Sequence, residues 1–509
     1  MFVVTWDRYY SDVIKMKNIY LLIPVLGVLV SSCELPDNVN PKAATSVPAE
    51  TLLTNALRDG LNLIDNMSQN TNVSRMMCQY IAMTQYTDPS RYDFSDRMSN
   101  DAYWDNSYLV LRDLKEVKTL IRDLRRDESF NRMNANRMAI VDIMEVLLYH
   151  NLVDIFGNVP YTEALGGFDN KTPAYDDQAA IYADLQVRLS ADIATLTAGA
   201  DDGSWGPEDL VYGGDVAMWL KFAATLKARL GMRLADVNPS MAQSELTAAI
   251  NAGMLAAGES MQLHWIGITP HTNTIYAMFA GGRLDYGPAN TIVDKMVALD
   301  DARLPAFFTQ VDTSTEWGVE KWAYFGIPYG SVTVPYSSIS HFSDAMREPD
   351  FPATFACNAE VEFILAEAAA RGMNLGPIGG SAQEHYEAGI LESHAHWGVT
   401  MDPAYLTHAD VAWDDARARE LIGTQKWLSH YNRGMEGWCI WRSFDWPVLN
   451  PPPDMSYEDI PFRLPYPYNE ADLNGDNYEA ASIAIGGDSL STRLFWDAFA
   501  GTENPAPGF

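Results

Sequence analysis

Apolar residues recur every three or four positions through much of the chain, a spacing that predicts helices with one buried face. One such stripe runs from Met138 to Ile155, and Gly157 predicts its end. A second runs from Trp219 to Leu234, with Asp215 as the predicted N-cap. Further helical patterns lie at Glu50–Ser68, Trp104–Arg126, Gln178–Leu196, Met241–Ala252, Thr291–Leu299, Val361–Ala368 and Ala418–Leu428. The pattern predicts an all-α protein.

The connections between the helical stretches fall into two kinds. Short turns, without alternating strand patterns, predict stacked helical hairpins of the tetratricopeptide kind, although no clean repeat signature accompanies them. Loops longer than about 15 residues in a compact domain are usually functional. Four tracts rich in Gly, Pro, Asn and aromatic residues are of this kind: Gly199–Gly214, His264–Pro288, Asp312–Pro352 and Trp446–Gly487. We therefore expect the binding surface on irregular loops carried by a helical scaffold.

The first apolar run, Ile19–Val30, has the length of a signal-peptide core and is shorter than the ~20 residues of a membrane span. Lys15 and Lys17 precede it. It leads into Val30-Ser31-Ser32-Cys33, which resembles the bacterial lipobox, where small residues precede the cysteine that receives lipid. We therefore predict lipidation of Cys33; the alternative is an ordinary cleaved signal in which this cysteine is incidental.

These features divide the chain into three parts. Residues 1–32 are the predicted signal peptide, and its true start is Met16, because residues 1–15 contain acidic and aromatic residues that suit no signal. Residues 33–45 are polar and contain two prolines, as expected of a tether between a lipid anchor and a domain. Residues 46–509 form the predicted binding domain.

The charge balance and the motif content exclude several classes of function. Acidic residues outnumber basic ones by 67 to 35, and a surface this negative repels the phosphate backbone of nucleic acid. The other cysteines, Cys78, Cys357 and Cys439, form no C-x-x-C pair, and three cannot complete a disulfide framework. No nucleophile-elbow, zinc-protease, P-loop or dinucleotide motif is present, so we predict no enzyme and no cofactor.

Aromatic side chains are the candidate ligand-binding groups. The chain has 14 Trp and 25 Tyr, and an exposed ring stacks on the apolar face of a sugar at little entropic cost. Packing of each ring beneath its own loop is the alternative. The candidates, two in one segment and six in the long loops, are Tyr103, Trp104, Trp265, Tyr276, Trp317, Trp322, Tyr324 and Tyr329.

Two other patterns suggest metal sites but are incomplete. Asp472, Asn474 and Asp476 alternate like the opening of a calcium loop, but the glycine and the twelfth-position glutamate are misplaced, so we expect an Asx-rich turn. His394 and His396 alternate without the further ligands of a zinc site, and we expect them to be structural. The sequence predicts no metal.

Seven blocks, in order along the chain, are similar to motifs of one family. Asp154–Ala164 matches "D-x-F-G-x-V-P-Y-x-E-A", Glu360–Ala368 matches "E-V-x-F-x-x-A-E-A", and Gln425–Arg442 contains "Q-K-W" and "W-x-x-W-R". We expect the arginines and glutamates of the blocks, Arg442 and Arg463 among them, to form buried or interhelical ion pairs. The remaining blocks are Thr172–Asp176, Gly214–Leu230, Asp301–Pro305 and Pro461–Asn477.

Together these blocks resemble the SusD/RagB nutrient-binding lipoproteins of Bacteroidetes, in the SusD-like branch. One departure is Ser443–Pro447, where the family usually has Arg-Thr-Gly-Tyr-Pro. The resemblance implies a core of four tetratricopeptide-like hairpins, an irregular half with the ligand site, and a place over a SusC-type TonB-dependent transporter at the outer membrane.

The expected function is capture of an oligosaccharide at the cell surface and its delivery to that transporter. The alternative keeps this architecture but has a peptide or another small nutrient as its ligand, which the existence of RagB-type relatives makes realistic. A surface glycoside hydrolase is the third hypothesis, and it requires two carboxylates ~5 to 9.5 Å apart around a cleft.

Overall fold

The computed structural model describes residues 47–93, 99–312, 322–330, 333–453, 460–498 and 509. The chain divides into Met1–Pro48 and Ala49–Phe509, and the second part is one compact unit. The predicted signal peptide, the lipidation of Cys33 and the 33–45 tether lie outside the described residues.

Helices dominate the first half of the compact unit, and long antiparallel pairs follow one another along the chain. A π-helical segment, Met67–Ser74, joins the first two helices. The pairs that pack together are α1 with α3, α4 with α5, and α6 with α7. The bounds are α1 Ala49–Asp65, α2 Arg75–Met77, α3 Ser99–Arg122, α4 Glu128–Phe156, α5 Gln178–Ala198, α6 Val216–Arg233 and α7 Pro239–Ala252.

The second half alternates short helices with irregular segments. Here α11 packs on α12 and α13, and α13 packs on α14. The stacked hairpins confirm the predicted all-α, tetratricopeptide-like fold. The bounds are α8 Thr274–Ala280, α9 Asn290–Ala298, α10 Leu304–Phe307, α11 Asn358–Ala370, α12 Ala382–His396, α13 Ala418–Ser429, α14 Gly434–Phe444, α15 Glu470–Leu473 and α16 Gly475–Ala484.

Short antiparallel strand pairs fasten the irregular segments to each other. The longest ladder pairs β4 with β8 and places Gln262 opposite Thr354, after an irregularity between Met261 and Gln262. The other pairs are β1 with β5, β2 with β3, and β6 with β7. The strands are β1 Ile81–Met83, β2 Val159–Pro160, β3 Tyr175–Asp176, β4 Ser260–Leu263, β5 Tyr286–Pro288, β6 Val311–Asp312, β7 Trp322–Ala323 and β8 Ala353–Cys357.

The helix ends follow local capping rules. The Asp215 side chain accepts from the backbone N–H groups of Ala217 and Met218, which confirms the predicted N-cap of α6. Helix α4 ends at Phe156, and Gly157 takes a φ of +85°, a conformation that a side chain would strain. The predicted end of the longest apolar stripe is therefore also confirmed.

Several helices lie where no helix was predicted. Helix α8 falls within the predicted His264–Pro288 loop, and α15 and α16 fall within Trp446–Gly487. Helix α12 begins with a reciprocal capping box between Ser381 and Glu384. Its buried positions include His385, Tyr386 and Gly389. Because polar and small residues occupy part of the buried face, the sequence lacks the apolar stripe that would predict this helix.

Buried arginines of the family blocks form ion pairs in the interior. Arg229 of α6 pairs with Glu360 of α11 at 2.5 Å, and Arg463 pairs with Asp488 at 2.6 Å, as predicted for family-block residues. Arg442 corrects the prediction, because its Nη1 donates to the backbone carbonyls of Asp154 and Phe462 at 2.8 and 2.7 Å. Its guanidinium therefore satisfies backbone carbonyl groups rather than a carboxylate.

Across the described residues, the helices are either too short or too polar for one of them to span a bilayer.

Candidate functional site

A cavity of about 480 Å³ lies where the irregular half meets the last tetratricopeptide-like helices. Its volume is within the ~300–1,000 Å³ range of small-molecule sites. Gln262 and Thr354 of the β4–β8 ladder line one side, joined by a 2.9 Å hydrogen bond between their side chains. The rest of the lining comes from Tyr324 and from segments 305–310, 343–352, 396–397 and 429–433.

Aromatic residues from several segments line the cavity, and Phe307 packs behind them. Tyr431 stacks on Phe307 with the ring centroids 4.3 Å apart and the planes 19° apart. Trp397 contacts Phe307 at 4.5 Å and lies nearly parallel to Phe351, with 6.2 Å between centroids. Phe308, which lines the cavity, packs edge-on against Tyr431 at 5.2 Å. These packed rings are held rigidly, which suits them to contact the apolar face of a ligand.

Two polar atoms in this wall have unmet hydrogen-bonding capacity. The indole Nε1 of Trp397 and the phenol oxygen of Tyr431 are both buried and have no hydrogen-bond partner in the described part of the protein. Tyr431 is only 2% exposed. Both atoms are enclosed by protein and lie out of reach of a ligand in the cavity.

The charged groups that line the cavity are neutralised. Arg433 donates to Glu360 at 3.0 Å, and Asp344 at the rim ion-pairs with Arg347. Burial and the nearby Arg433 guanidinium lower the pKa of His396 to about 4, so its ring is neutral at pH 7. Among the described lining residues, then, neither a free cation nor a free carboxylate faces a ligand.

The network around Glu360 fixes Arg433 in place. Burial opposes ionisation of Glu360, but Arg229, His430 and Arg433 together hold the pKa of its carboxyl well below its usual range. Burial and Arg433 lower the pKa of His430 to about 4. The cavity floor is thereby tied to α6 and α11 of the scaffold.

Four of the predicted aromatic candidates lie in the core. Tyr103, Trp104, Trp265 and Tyr329 are 1%, 4%, 8% and 5% exposed. The Trp104 ring packs edge-on against Phe156 at 5.1 Å, and the Tyr329 hydroxyl donates to a backbone carbonyl at 2.5 Å. Their burial favours the packing alternative for Tyr103, Trp265 and Tyr329. Trp104 also lines a second cavity, of about 610 Å³, and its role in binding stays a prediction.

The other four aromatic candidates lie in different environments. Tyr324 lines the cavity, and Trp322, two residues earlier on β7, is 58% exposed. Tyr276 is half-buried on α8 and does not line the cavity. Trp317 lies outside the described residues. The structure thus brings Tyr324 to the cavity and leaves Trp322 as an exposed ring on the same strand segment.

Sequence reasoning missed most of the cavity wall. Phe308, Phe351, Trp397 and Tyr431 come from four separate segments, and only the tertiary structure brings them together. A weak signal was present for Tyr431, because it lies within the Gln425–Arg442 family block.

The two metal-like patterns have local roles. Asn474 lies between α15 and α16, and its side chain donates to the carbonyl of Pro173 at 2.8 Å. His394 is buried 3.6 Å from Asp301. The residues that the structure describes contain no group of three His, Cys, Asp or Glu side chains arranged to hold a metal.

The fold of this chain is also found in solved structures. Three solved structures with this fold are a chitin-binding SusD homolog from Flavobacterium johnsoniae (23% identity, TM-score 0.75, covering 90% of this chain and 100% of that one), a SusD-like protein from Bacteroides thetaiotaomicron (24%, 0.74, 87% and 98%), and a SusD homolog from Bacteroides vulgatus (21%, 0.75, 90% and 98%). No curated protein matches the chain in sequence.

At these identities the solved structures establish the fold alone. The family assignment comes from the sequence: residues 41–467 match the SusD-like family described as "Starch-binding associating with outer membrane". This match spans most of the chain and includes nearly all of the blocks that resemble SusD/RagB proteins. The chain therefore belongs to the SusD-like family of starch-binding, outer-membrane-associated proteins.

Proposed function

We propose that this protein is a cell-surface lipoprotein that captures neutral oligosaccharides and delivers them to a SusC-type TonB-dependent transporter. The single observation that carries the proposal is the 480 Å³ cavity, which combines aromatic residues with neutral polar residues such as Gln262 and Gln310 and has no uncompensated charge among its described lining residues. A sugar has C–H faces that stack on rings and hydroxyl groups that form hydrogen bonds with neutral polar side chains.

The relatives support a carbohydrate ligand. The family description names starch, and the Flavobacterium johnsoniae homolog binds chitin. Both are neutral polysaccharides, which agrees with a cavity where Arg433 and Asp344 are already paired.

The alternative hypotheses fit the cavity less well. A peptide carries charged termini, and no described lining residue offers an unpaired counter-charge. A glycoside hydrolase requires a pair of carboxyl groups, whereas Asp344 is the one carboxylate among the described residues of the lining. We therefore propose binding without catalysis.

Titration calorimetry of the purified protein against neutral oligosaccharides and against short peptides tests the ligand class. We expect a neutral oligosaccharide to bind with a micromolar Kd and to release no shorter product on prolonged incubation. Binding of peptides together with failure of every neutral glycan contradicts the proposal. Product release points to the hydrolase.

Lipidation of Cys33 supplies the proposed anchor and is tested separately. A Cys33→Ala variant should lose membrane association and surface exposure, measured by fractionation and by protease treatment of whole cells. Ser32→Ala is the matched control, because it keeps a small residue before the cysteine. An unchanged location of Cys33→Ala refutes the anchor but leaves the ligand site untouched.

The proposed transporter partner is tested in cells. We expect the tagged protein to co-purify with a SusC-type transporter from its own cells, and we expect loss of either protein to abolish uptake of the bound oligosaccharide. Uptake that persists without this protein contradicts a role in delivery.

A further inference from the structure

The second cavity lies beside the long helices, between one face of α3, the segment 160–173 and helix α15. Its volume of about 610 Å³ is also that of a small-molecule site. It shares no lining residue with the 480 Å³ cavity. Leu109 of α3 and Leu473 of α15 are exposed in its lining, and exposed apolar residues grouped around one cavity mark an interaction site.

The segment 160–173 is held in place by its own hydrogen bonds and by α3. Glu163 Oε2 accepts from Asn170 Nδ2 at 3.0 Å and from the backbone N–H of Ala174 at 2.9 Å. Lys115 of α3 donates through Nζ to the carbonyl of Leu165 at 3.0 Å. The cavity is therefore largely formed before a ligand enters, which lowers the entropic cost of binding.

Two neighbouring carboxylates line the cavity. Asp105 is exposed on α3, and Glu470 begins α15. Burial raises the pKa of the Glu470 carboxyl, and the charge of Asp105 raises it further, against the hydrogen bond that the Tyr175 hydroxyl donates. Within the described part of the chain, no cationic side chain pairs with Asp105 or Glu470. A positively charged group of a ligand would relieve their repulsion.

Two cations line the same cavity. Arg112 follows Asp105 by seven residues on α3, so the two share a face of the helix and lie about 10 Å apart along its axis. The Arg112 side chain is 63% exposed, and its pair with the adjacent Asp113 is a weak surface pair. Lys171 Nζ lies over the Phe168 ring at 5.3 Å and meets no carboxylate of the described residues. The cavity thus presents opposite charges at separate places.

We propose that the second cavity binds a short peptide as a zwitterion. The amino terminus pairs with Asp105 and Glu470, the carboxyl terminus pairs with Arg112 and Lys171, and an apolar side chain between the termini packs in the cavity. An extended chain spans ~3.3–3.6 Å per residue, so about three residues cover the distance from Asp105 to Arg112. Because the two cavities share no residue, peptide and oligosaccharide bind at the same time.

Two other occupants fit this cavity less well. A neutral oligosaccharide brings no charge to offset the repulsion between Asp105 and Glu470. Two copies of a chain with a formal charge of −32 repel each other, which opposes burial of this face in a homodimer. A zwitterionic peptide satisfies the carboxylates, the cations and the apolar surface together.

The full chain is titrated calorimetrically with the tripeptide Ala-Leu-Ala and with its N-acetylated, C-amidated form, which has the same side chains and no terminal charges. We expect the free tripeptide to bind about tenfold more tightly, because its termini form ionic hydrogen bonds. Ala-Ser-Ala keeps both charges and should bind about tenfold more weakly than Ala-Leu-Ala, because it lacks the apolar side chain. Equal affinities of the free and blocked forms, or no binding of Ala-Leu-Ala, overturn this inference.

Exposed charges provide variants that leave the core intact. Asp105→Asn and Arg112→Gln should each weaken binding of free Ala-Leu-Ala about 3- to 10-fold and leave the blocked form unchanged. Arg122→Gln and Asp123→Asn are the matched controls, because they remove exposed charges at the far end of α3 that do not line this cavity. Equal losses in all four variants, or unchanged binding in Asp105→Asn and Arg112→Gln, overturn the assignment.

A competition experiment separates this site from the oligosaccharide cavity. With a neutral oligosaccharide at saturation, the affinity for Ala-Leu-Ala should be unchanged; competition between the two ligands overturns a separate peptide site. A dimer in sedimentation that Arg112→Gln abolishes assigns the cavity to a second copy and overturns it too. Binding of the tripeptide without any neutral glycan supports this inference and contradicts the proposed function, whereas the reverse result contradicts this inference alone.

Discussion

The ring of Tyr431 lies on the ring of Phe307, with centroids 4.3 Å apart and planes inclined by 19°. Phe307 ends the short helix α10, and Tyr431 follows α13 of the stacked helices. This contact therefore joins an irregular segment to the helical stack directly behind the cavity.

Removal of the Tyr431 ring should therefore destabilise the protein, whereas removal of its hydroxyl should not. We expect Tyr431→Ala to lower the free energy of unfolding by about 3–5 kcal/mol, the usual cost of a buried aromatic truncation. Tyr431→Phe should change it by less than about 1 kcal/mol, because no protein partner is lost. Urea unfolding measures both; equal destabilisation by the two variants contradicts the role of the ring.

The exposed ring of Trp322 should contribute to binding and not to stability. It is 58% exposed beside Tyr324, which lines the cavity. We expect Trp322→Ala to weaken oligosaccharide binding about 3- to 10-fold, as expected for one ring contact, with an unchanged Tm. Phe168→Ala, which removes a 93% exposed ring that does not line the cavity, should leave affinity unchanged. Equal effects of the two variants argue against a platform at Trp322.

The Asp301–Arg303 pair should be essential to the fold. Both side chains are fully buried, and Arg303 bonds to the carboxylate through Nε at 2.9 Å and Nη2 at 2.5 Å. Asp301→Ala leaves a buried guanidinium uncompensated, and we expect a loss of about 3–5 kcal/mol in urea unfolding. The exposed pair Arg112–Asp113 is the comparison, and Asp113→Ala should cost less than about 1 kcal/mol. A small effect at Asp301 contradicts this account.

The buried His430 should make stability depend on pH. Burial, with Arg433, lowers its pKa to about 4 in the folded protein, whereas the unfolded chain takes up the proton near 6.5. Between these values the unfolded state binds more protons, so stability should fall as the pH falls from about 6.5 to 4. The slope from this residue is at most about 1.4 kcal/mol per pH unit.

A His430→Asn variant isolates this contribution. Urea unfolding of both proteins at several pH values should show a shallower pH dependence for the variant between pH 6.5 and 4. Above pH 6.5 the difference in unfolding free energy between the two should be constant. Parallel curves across the acidic range would mean that His430 titrates alike in the folded and unfolded chains.

Some parts of the fold could be predicted from the sequence because their causes are local. The apolar stripe that ends at Gly157 and the cap at Asp215 each depend on residues within a few positions. Helix α12 was missed because its buried face includes His385 and Gly389, whose neighbours are distant in sequence. Phe363 of α11 packs against Gly389 and makes this face interior.

By itself, the sequence determined the helical scaffold and the family, because helical periodicity and the order of the motif blocks can be recognised without any information on distant contacts. The tertiary structure alone decided which aromatic rings are exposed and which meet around a cavity. Trp104 and Trp322 look alike in the sequence, yet one is 4% and the other 58% exposed. The physical reason is that burial depends on what packs against a residue, and here those neighbours are far away along the chain.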